Sequence, residues 1–327
     1  MSTRAPNTYT LVADIGGTNT RVALAEGVRL LTDTVRKYRN ADHSGLEPVL
    51  RAFIAEEQGV DCKGACVAVA GPVTAGRGSL TNLDWEIDEP TLARATQAGH
   101  VAILNDLQAQ GHALGHLPDT SIRTLVEGRP ADAKATKLVI GVGTGFNIAP
   151  VYETPGGRFV PASEAGHANL PVRAEDELAL IRHFETAHGF PAVEDMLSGR
   201  GFERVYLWLA TQAGTPAEKN AAEIMQGFEQ GTDPIAQQAA QMFVRMLGTV
   251  AGNLSLMQLP FGGVYFAGGV ATKFSAHFGD LGFIDAFRDK GRFAGFMQNF
   301  SVHVIEDDFA ALTGCATYLS NTASATS

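Results

Sequence analysis

The sequence predicts an α/β protein of two related domains, each with a mixed sheet covered by helices, that face a cleft. Three observations support this prediction. The chain has 327 residues, which is more than a single hydrophobic core typically holds. Strand-like runs follow one another directly near the start and then alternate with amphipathic helical runs. A strand, a glycine turn and a second strand at residues 9–25 recur at residues 137–153, which indicates an internal repeat.

The first element is a hairpin around a glycine-rich turn. Two apolar, β-rich runs, Tyr9–Ile15 and Arg21–Ala25, flank the turn Gly16-Gly17-Thr18-Asn19. We expect its glycine and asparagine residues to supply the positive φ angles of a tight connection. Glycines also let backbone N–H groups approach an anion, while the threonine and asparagine add side-chain donors. Asp14 places a carboxylate beside this anion site, where a divalent cation would fit between them. An ordinary hairpin turn is the alternative.

The remaining elements of the first domain lead to a polar pair at a strand end. Strands are predicted over Val28–Lys37, Ala65–Ala70, Gly78–Asn82, Trp85–Ile87 and Val101–Leu104, and helices over Leu46–Glu57, Glu89–Gln97 and from Leu107. Asn105 and Asp106 follow the last of these strands, where α/β proteins place their sites. Asp106 would act as a general base on a substrate hydroxyl, and Asn105 would bind a neighbouring hydroxyl. Alternatively, Asp106 caps the helix that follows.

A second set of elements begins near Ile122 and contains a second glycine turn. Strands are predicted over Lys137–Val142, Asn147–Glu153, Arg158–Pro161, Val264–Ala267 and Val302–Ile305, and helices over Ala174–His188, Gly201–Gln212, Ala217–Gly227, Pro234–Leu259 and Phe309–Leu319. The tail Ser320–Ser327 is expected to fray.

The second turn, Gly143-Thr144-Gly145, does not fit a dinucleotide fingerprint, because Phe146 stands where the third glycine belongs and a strand follows. No P-loop motif occurs either. The presence of two glycine–threonine turns instead predicts that both turns enclose the phosphates of a nucleotide. The pair Gly268-Gly269, after a buried strand, is a third approach point or a simple strand-to-helix turn.

Glu164 and His167 lie three residues apart in a loop that contains glycine. Zinc is one candidate ligand, but no third protein ligand is evident. Sugar hydroxyls suit the pair better, because a carboxylate accepts hydrogen bonds and an imidazole donates or accepts them. Glu194 is a further acceptor or a surface charge.

Charge and cysteine content exclude several classes of function. A net charge of −10 argues against nucleic acid or an anionic membrane as the main partner. No apolar run approaches the roughly 20 residues of a spanning helix, and the first eight residues lack a signal-peptide core. The three cysteines, Cys62, Cys66 and Cys315, form no disulfide framework, and we expect buried free thiols and a cytoplasmic protein.

Taken together, the motifs resemble those of bacterial glucokinases of the enteric type. The matching motifs occur in order at Asp14–Arg21, Asn105-Asp106, Gly141–Gly145, Glu164–His167, Glu194–Gly199 and Ala267–Gly269, with further similarity at Phe261–Val264 and Asp289–Phe293. The resemblance runs from about residue 9 to residue 318. Six ordered motifs are far more specific than any one of them.

The resemblance implies the two-domain fold of the sugar kinase, Hsp70 and actin group. Its C-terminal helix returns to the first domain, so the small domain comprises residues 1–112 and about 308–327, and the large domain residues 113–307. The implied reaction is ATP-dependent phosphorylation of D-glucose at O6 by a homodimer. Asn105, Asp106, Glu164, His167 and Glu194 would surround the glucose, with Asp106 as the base. Asp14 would help position Mg²⁺, and the glycine turns would hold ATP.

Three residues depart from the family pattern and leave the strictness of glucose specificity open. Asn147 stands where glycine is usual, Leu107 where phenylalanine usually follows N-D, and Ala165 in the usual E-G-G-H. One alternative is a kinase for fructose, mannose or N-acetylglucosamine, although the zinc-type cysteine cluster of that wider group is missing. The other is a non-catalytic sugar-sensing regulator. It would carry an added helix-turn-helix, for which the early first strand leaves no room.

Overall fold

A computed structural model of the protein describes residues 8–80 and 83–325. The expectations about the first seven residues, the strand end at Asn82 and the last two residues of the tail lie outside the described residues. The chain divides into two compact units. The first contains the described residues up to Ser121, the segment Glu153–Ala162 and the chain from Asp307 onward. The second contains Ile122–Tyr152 and Ser163–Glu306. Residues 113–121 and 153–162, which the sequence prediction placed in the large domain, thus belong to the first unit.

The strands are, in chain order, β1 (Tyr9–Ile15), β2 (Asn19–Glu26), β3 (Arg29–Arg39), β4 (Cys62–Val69), β5 (Val73–Thr74), β6 (Arg77–Leu80), β7 (Leu83–Asp88), β8 (His100–Asn105), β9 (Ile122–Val126), β10 (Lys137–Val142), β11 (Phe146–Thr154), β12 (Gly157–Phe159), β13 (Val264–Ala267) and β14 (Val302–Ile305). The α-helices are α1 (Leu46–Glu56), α2 (Glu89–Thr96), α3 (Asp106–Ala113), α4 (Glu175–His188), α5 (Val193–Met196), α6 (Gly199–Gln212), α7 (Ala221–Glu229), α8 (Pro234–Gln258), α9 (Gly269–Ser275), α10 (Phe283–Arg288) and α11 (Ala310–Ala325).

The two large sheets share one order of five strands, to which the second sheet adds β9 at its edge, and this confirms the predicted internal repeat. The first sheet has the order β3-β2-β1-β4-β8, with β1 antiparallel to β2 and parallel to β4. The second has the order β12-β11-β10-β13-β14-β9, with β10 antiparallel to β11 and parallel to β13. β1 and β10 therefore occupy corresponding positions, and each leads into a glycine turn. The short strands β5, β6 and β7 form a separate sheet.

Both faces of the first sheet are buried. Because side chains alternate along a strand, Leu11 and Ile15 of β1 pack with α1 residues such as Phe53, while Val12 packs with Leu312 of α11. α11 approaches α3 closely: a Cβ at Gly314 would lie 1.6 Å from the Ala109 carbonyl oxygen. Only glycine fits there, so α11 fixes the position of α3.

The expected fraying of the tail from Ser320 is wrong for the described residues, because α11 continues to Ala325. Thr322 anchors this last part of the helix. Its hydroxyl donates to the Tyr318 carbonyl oxygen and lies 3.0 Å from Nε2 of His100.

The core of the second unit is rich in phenylalanine and is built around α8. Phe243 of α8 stacks on Phe274 with ring centroids 4.6 Å apart, and Phe202 meets both rings edge-on. The sequence did not predict α9, α10 or β9, which have five to seven residues and show too little periodicity. Among the described residues, no helix has the length and apolarity needed to span a membrane.

Candidate active site

In the first unit, a buried asparagine closes the glycine turn between β1 and β2. The Gly16 amide donates to the Asn19 carbonyl oxygen at 3.0 Å. Asn40, which is 2% exposed, donates from Nδ2 to the Gly16 carbonyl oxygen at 2.8 Å and from its backbone to the Thr18 carbonyl oxygen at 2.9 Å. Its Oδ1 accepts from the Thr20 hydroxyl at 2.8 Å. Asn40 therefore stabilises the turn although it belongs to none of the sequence motifs. For this reason the sequence did not indicate its role.

The expectation of positive φ angles is wrong for Gly16 and Asn19, since neither residue adopts one. Asn19 already belongs to β2 and has extended geometry. The nearest atom to a Cβ added at Gly16 is the Asn19 carbonyl oxygen, at 3.4 Å. Neither the backbone conformation nor a clash with these neighbouring atoms requires glycine at residue 16.

Asp14 lies at the end of β1, directly across the hairpin from Arg21. Its Oδ2 is 3.5 Å from Nη1 of Arg21, and the carboxylate side chain is 19% exposed. Burial raises the pKa of Asp14, and the Arg21 guanidinium partly opposes this shift. A cation that arrived beside Asp14 would favour its ionised form.

Asn105, and not Asp106, caps α3. Asn105 Oδ1 accepts from the Leu107 amide at 3.0 Å, and Gln108 Oε1 accepts from the Asn105 amide at 3.1 Å, which completes a capping box. Asn105 Nδ2 also donates to the Gly71 carbonyl oxygen at 3.0 Å. The alternative in which Asp106 is the cap is therefore wrong. Asp106 is the first residue of the helix, and its Oδ1 lies 2.9 Å from the Leu107 amide.

The Asp106 carboxyl group has a pKa suited to proton transfer near neutrality. Burial raises the pKa of Asp106 to about 7, with a further increase from the negative charge of Asp14, while the hydrogen bond from the Leu107 amide lowers it. A carboxyl group whose pKa lies close to the working pH is an effective general base.

The segment Glu153–Ala162 holds α3 from its side and its end. Gln108 Nε2 donates to the Val160 carbonyl oxygen at 2.8 Å. Arg158 donates to the His112 and Leu114 carbonyl oxygens at the end of the helix and pairs with Glu153. The helix that begins with Asp106 is thus fixed at both ends. No motif in the sequence indicates this role of Arg158.

In the second unit, Glu194 braces the turn between β10 and β11. Its Oε2 accepts from the Phe146 amide at 2.9 Å. A Cβ at Gly145 would lie 2.4 Å from this oxygen, so the carboxylate needs glycine there, whereas the space around Gly143 is open. The Gly143 carbonyl oxygen accepts from the Gly199 amide at 2.9 Å, where α6 begins. Glu194 is therefore built into the turn and is not an isolated surface charge.

The loop that carries Glu164 and His167 packs against the same turn. A Cβ at Gly166 would lie 2.1 Å from the Phe146 carbonyl oxygen. The Glu164 and His167 side chains are 60% and 69% exposed, with Oε2 and Nε2 3.9 Å apart. The second unit thus brings Glu164, His167, Glu194 and the second glycine turn together. Asn105 and Asp106 lie in the first unit.

Gly268 lies beside the same turn, at the end of β13. Its φ is +94°, and a Cβ there would lie 2.6 Å from the Val142 carbonyl oxygen at the end of β10. Gly269 begins α9, and the space around it is open. The pair therefore forms a strand-to-helix turn that also leaves room for a ligand.

The sequence model of the glucokinase family matches residues 11–322, nearly the whole chain. This chain belongs to the glucokinase family. The glucokinase of Cupriavidus metallidurans is 31% identical over 324 residues, which cover 98% of this chain and 96% of that protein. The glucokinase of Saccharophagus degradans is 32% identical, over 94% of this chain and 97% of its own length.

The solved structures agree with this assignment. The crystal structure of a glucokinase from an Antarctic psychrotroph superimposes with a TM-score of 0.86 at 28% identity, over 96% of this chain and 99% of that one. The resemblance of the motifs to glucokinases, the two-domain sugar kinase fold and the assignment as an enzyme are therefore confirmed. A surface depression of about 550 Å³ is lined by residues that include Lys219 and Asp233 and by none of the predicted site residues.

Proposed function

We propose that this protein transfers the γ-phosphoryl group of ATP to O6 of D-glucose, with Asp106 as the general base. The observation that carries this proposal is the position of Asp106 at the carboxyl end of β8, together with its pKa of about 7. The 6-hydroxyl proton passes to the Asp106 carboxylate while O6 forms its bond to phosphorus, and the bond from phosphorus to the ADP oxygen breaks. The products are glucose 6-phosphate and ADP.

Phosphoryl transfer proceeds through a loose transition state that depends on in-line placement and charge neutralisation more than on a strong base. The backbone N–H groups of both glycine turns would donate to the phosphates. We assign contacts with the nucleotide to Gly16, Gly17, Thr18, Asn19, Gly143, Thr144, Gly145, Gly268 and Gly269. The Gly16 and Gly143 amides already donate within their turns, so these two residues would contribute by letting the phosphates approach the backbone closely. The base adds roughly 10²–10⁴ in rate.

The sugar would be bound by Asn105, Asp106, Glu164, His167 and Glu194. Asn105 Oδ1 accepts one hydrogen bond within the protein, from the Leu107 amide, so its second lone pair is available to a hydroxyl. Glu194 uses Oε2 to brace the turn, which leaves Oε1 for the sugar. The Asn105 amide and the Glu194 carboxylate would therefore each bond both to protein groups and to the sugar.

Asp14 fits a role in holding Mg²⁺. The described residues contain no group of three or more His, Cys, Asp or Glu side chains that would hold a metal by themselves. Mg²⁺ commonly binds through one or two carboxylates, water and substrate phosphates, so a single carboxylate beside a phosphate turn suits it. When bound, the ion would neutralise charge on the phosphates.

We further propose a cytoplasmic homodimer. Cys66 and Cys315 are buried thiols that form no disulfide, as is usual in a reducing compartment. α8 is largely buried inside the second unit and offers little surface to a second subunit. The exposed side chains at its end, Met257 and Leu259, are better candidates for the interface. Light scattering should give about twice the chain mass of 34.6 kDa.

A screen of hexoses in a coupled ADP-release assay tests the proposed function. We expect ADP release with glucose and magnesium-ATP well above the sugar-free rate. Activity confined to fructose, mannose or N-acetylglucosamine would show that one of these sugars, and not glucose, is the substrate. Glucose binding without ADP release would instead indicate a sugar-sensing regulator.

A further inference from the structure

Asn147 is the second residue of β11 and lies opposite Gly141 of β10. Its side-chain amide bonds to the loop that carries Glu164. Nδ2 donates to the Ser163 carbonyl oxygen at 2.5 Å, and Oδ1 accepts from the Ala165 amide at 3.1 Å. The same Oδ1 accepts from the Ile148 amide at 2.8 Å, which orients the side chain. One amide thus bonds to the peptide group on each side of Glu164.

These two bonds determine the backbone conformation of Glu164. The Ser163 carbonyl belongs to the peptide plane before Glu164, and the Ala165 amide belongs to the plane after it. Fixing both planes fixes φ and ψ, which are −129° and 46°, outside the usual helical and extended regions. The Glu164 side chain is 60% exposed, so its direction depends on its backbone more than on packing.

We propose that Asn147 is a positioning residue for the sugar, because its amide sets the conformation of Glu164. This inference rests on the proposed function, in which Glu164 binds the hexose. The glucokinases that the motifs resemble usually have glycine at this position, which has no side chain to make these bonds. The brace is therefore a property of this chain that the family motif does not supply.

Replacing Asn147 by Asp is the sharpest test. The carboxylate keeps the size of the side chain and its acceptor for the Ala165 amide, but it places an unprotonated oxygen against the Ser163 carbonyl oxygen. We expect KM for glucose to rise roughly 5- to 30-fold, the range that one lost hydrogen bond to a buried partner gives, while KM for ATP changes less than twofold. Asn147→Gly removes both bonds and should give a similar rise.

Asn169→Asp is the matched control. Asn169 lies five residues after Glu164 and is exposed, and its contact with Ala192 is a backbone bridge. The variant adds the same negative charge near the loop without touching the brace, so it should keep KM for glucose within twofold.

Hydrogen exchange in the sugar-free protein supplies a readout that does not depend on activity. Exchange of a peptide that covers residues 163–168 should be faster in Asn147→Asp and Asn147→Gly than in the wild type or in Asn169→Asp. If both Asn147 variants keep the wild-type KM and exchange rate, the inference is overturned. If wild-type protein releases no ADP with glucose, the proposed function fails, and the exchange comparison still decides whether Asn147 holds the loop.

Discussion

The two glycine turns occupy corresponding places in their sheets, yet they are closed by different chemical groups. Asn40, a buried neutral amide, closes the turn between β1 and β2. Glu194, a carboxylate, closes the turn between β10 and β11. The Asn40 amide adds no charge beside its turn. The Glu194 carboxylate, in contrast, has a second oxygen that can accept a hydrogen bond from a ligand. The same backbone design is therefore held by a neutral amide in the first unit and by a carboxylate in the second.

The acidic residues show the same contrast. In the first unit, Asp14 and Asp106 are partly buried, and burial raises the pKa of both. In the second unit, the Glu164 side chain is largely exposed beside His167. Desolvated carboxyl groups suit proton transfer, and solvated ones suit hydrogen bonds to hydroxyls. We therefore assign chemistry to the first unit and sugar recognition mainly to the second.

The largest expected effect tests the chemical role of the first unit. Asp106→Asn keeps the size of the side chain but cannot accept a proton. We expect kcat to fall by roughly 10²-fold or more, the usual consequence of removing a general base. Glucose binding, measured by calorimetry, should weaken only moderately because the other sugar ligands remain. A variant with near-normal kcat would remove Asp106 from the mechanism.

The next effect tests recognition by the second unit. Glu194→Gln keeps an oxygen for the Phe146 amide but replaces the other acceptor oxygen by a donor NH₂. We expect KM for glucose to rise roughly tenfold, a loss of about 1.4 kcal/mol, with a smaller change in kcat. Steady-state kinetics with glucose varied at saturating ATP measures both constants. An unchanged KM would restrict Glu194 to bracing the turn.

The pH dependence of kcat/KM for glucose should reflect the ionisation of Asp106, which lies in the first unit. Because Asp106 must be ionised to accept a proton and its pKa is about 7, kcat/KM for glucose should be flat above pH 8 and fall roughly tenfold per pH unit below pH 6. The residual activity of Asp106→Asn should lack this acidic limb. Persistence of the limb in the variant would assign it to another group.

The substitution Asn40→Ala removes the side-chain hydrogen bonds that close the turn between β1 and β2. It leaves the Gly16 carbonyl oxygen and the Thr20 hydroxyl without their partner at a buried site, which should cost about 1–3 kcal/mol of unfolding free energy. KM for ATP should rise about threefold while KM for glucose stays constant. A selective rise in KM for glucose instead would contradict the assignment of this turn to the nucleotide.

The sequence predicted the repeat and the site motifs because strand alternation and glycine turns are local patterns. It did not predict Asn40, Arg158 or the brace by Asn147, since each depends on contacts between segments distant along the chain. Asp106 shows the same limit within one motif. The N-D motif can be recognised in the sequence, but only the structure shows that Asn105 caps the helix and that Asp106 is partly desolvated.

The smallest expected effect, on stability, separates structure from chemistry at Asp106. A folded-state pKa of about 7 lies above the unfolded value of about 3.9, so ionisation costs folding free energy as pH rises from 4 through 7. Above pH 7 both states are ionised and this cost is complete. Asp106→Asn removes it and should stabilise the protein at pH 8 by about 1–2 kcal/mol, less than the full shift because the side chain retains solvent contact.

Thermal melts of both proteins from pH 5 to pH 8 measure this difference. The gain should shrink as the pH falls below 7 and vanish near pH 4, because the wild-type carboxyl group is then protonated and neutral. A variant that is less stable at pH 8 would show that the ionised carboxylate supports the fold through its bond to the Leu107 amide. Higher stability combined with the loss of kcat would instead show that the protein tolerates a destabilising charge at this position because the reaction requires it.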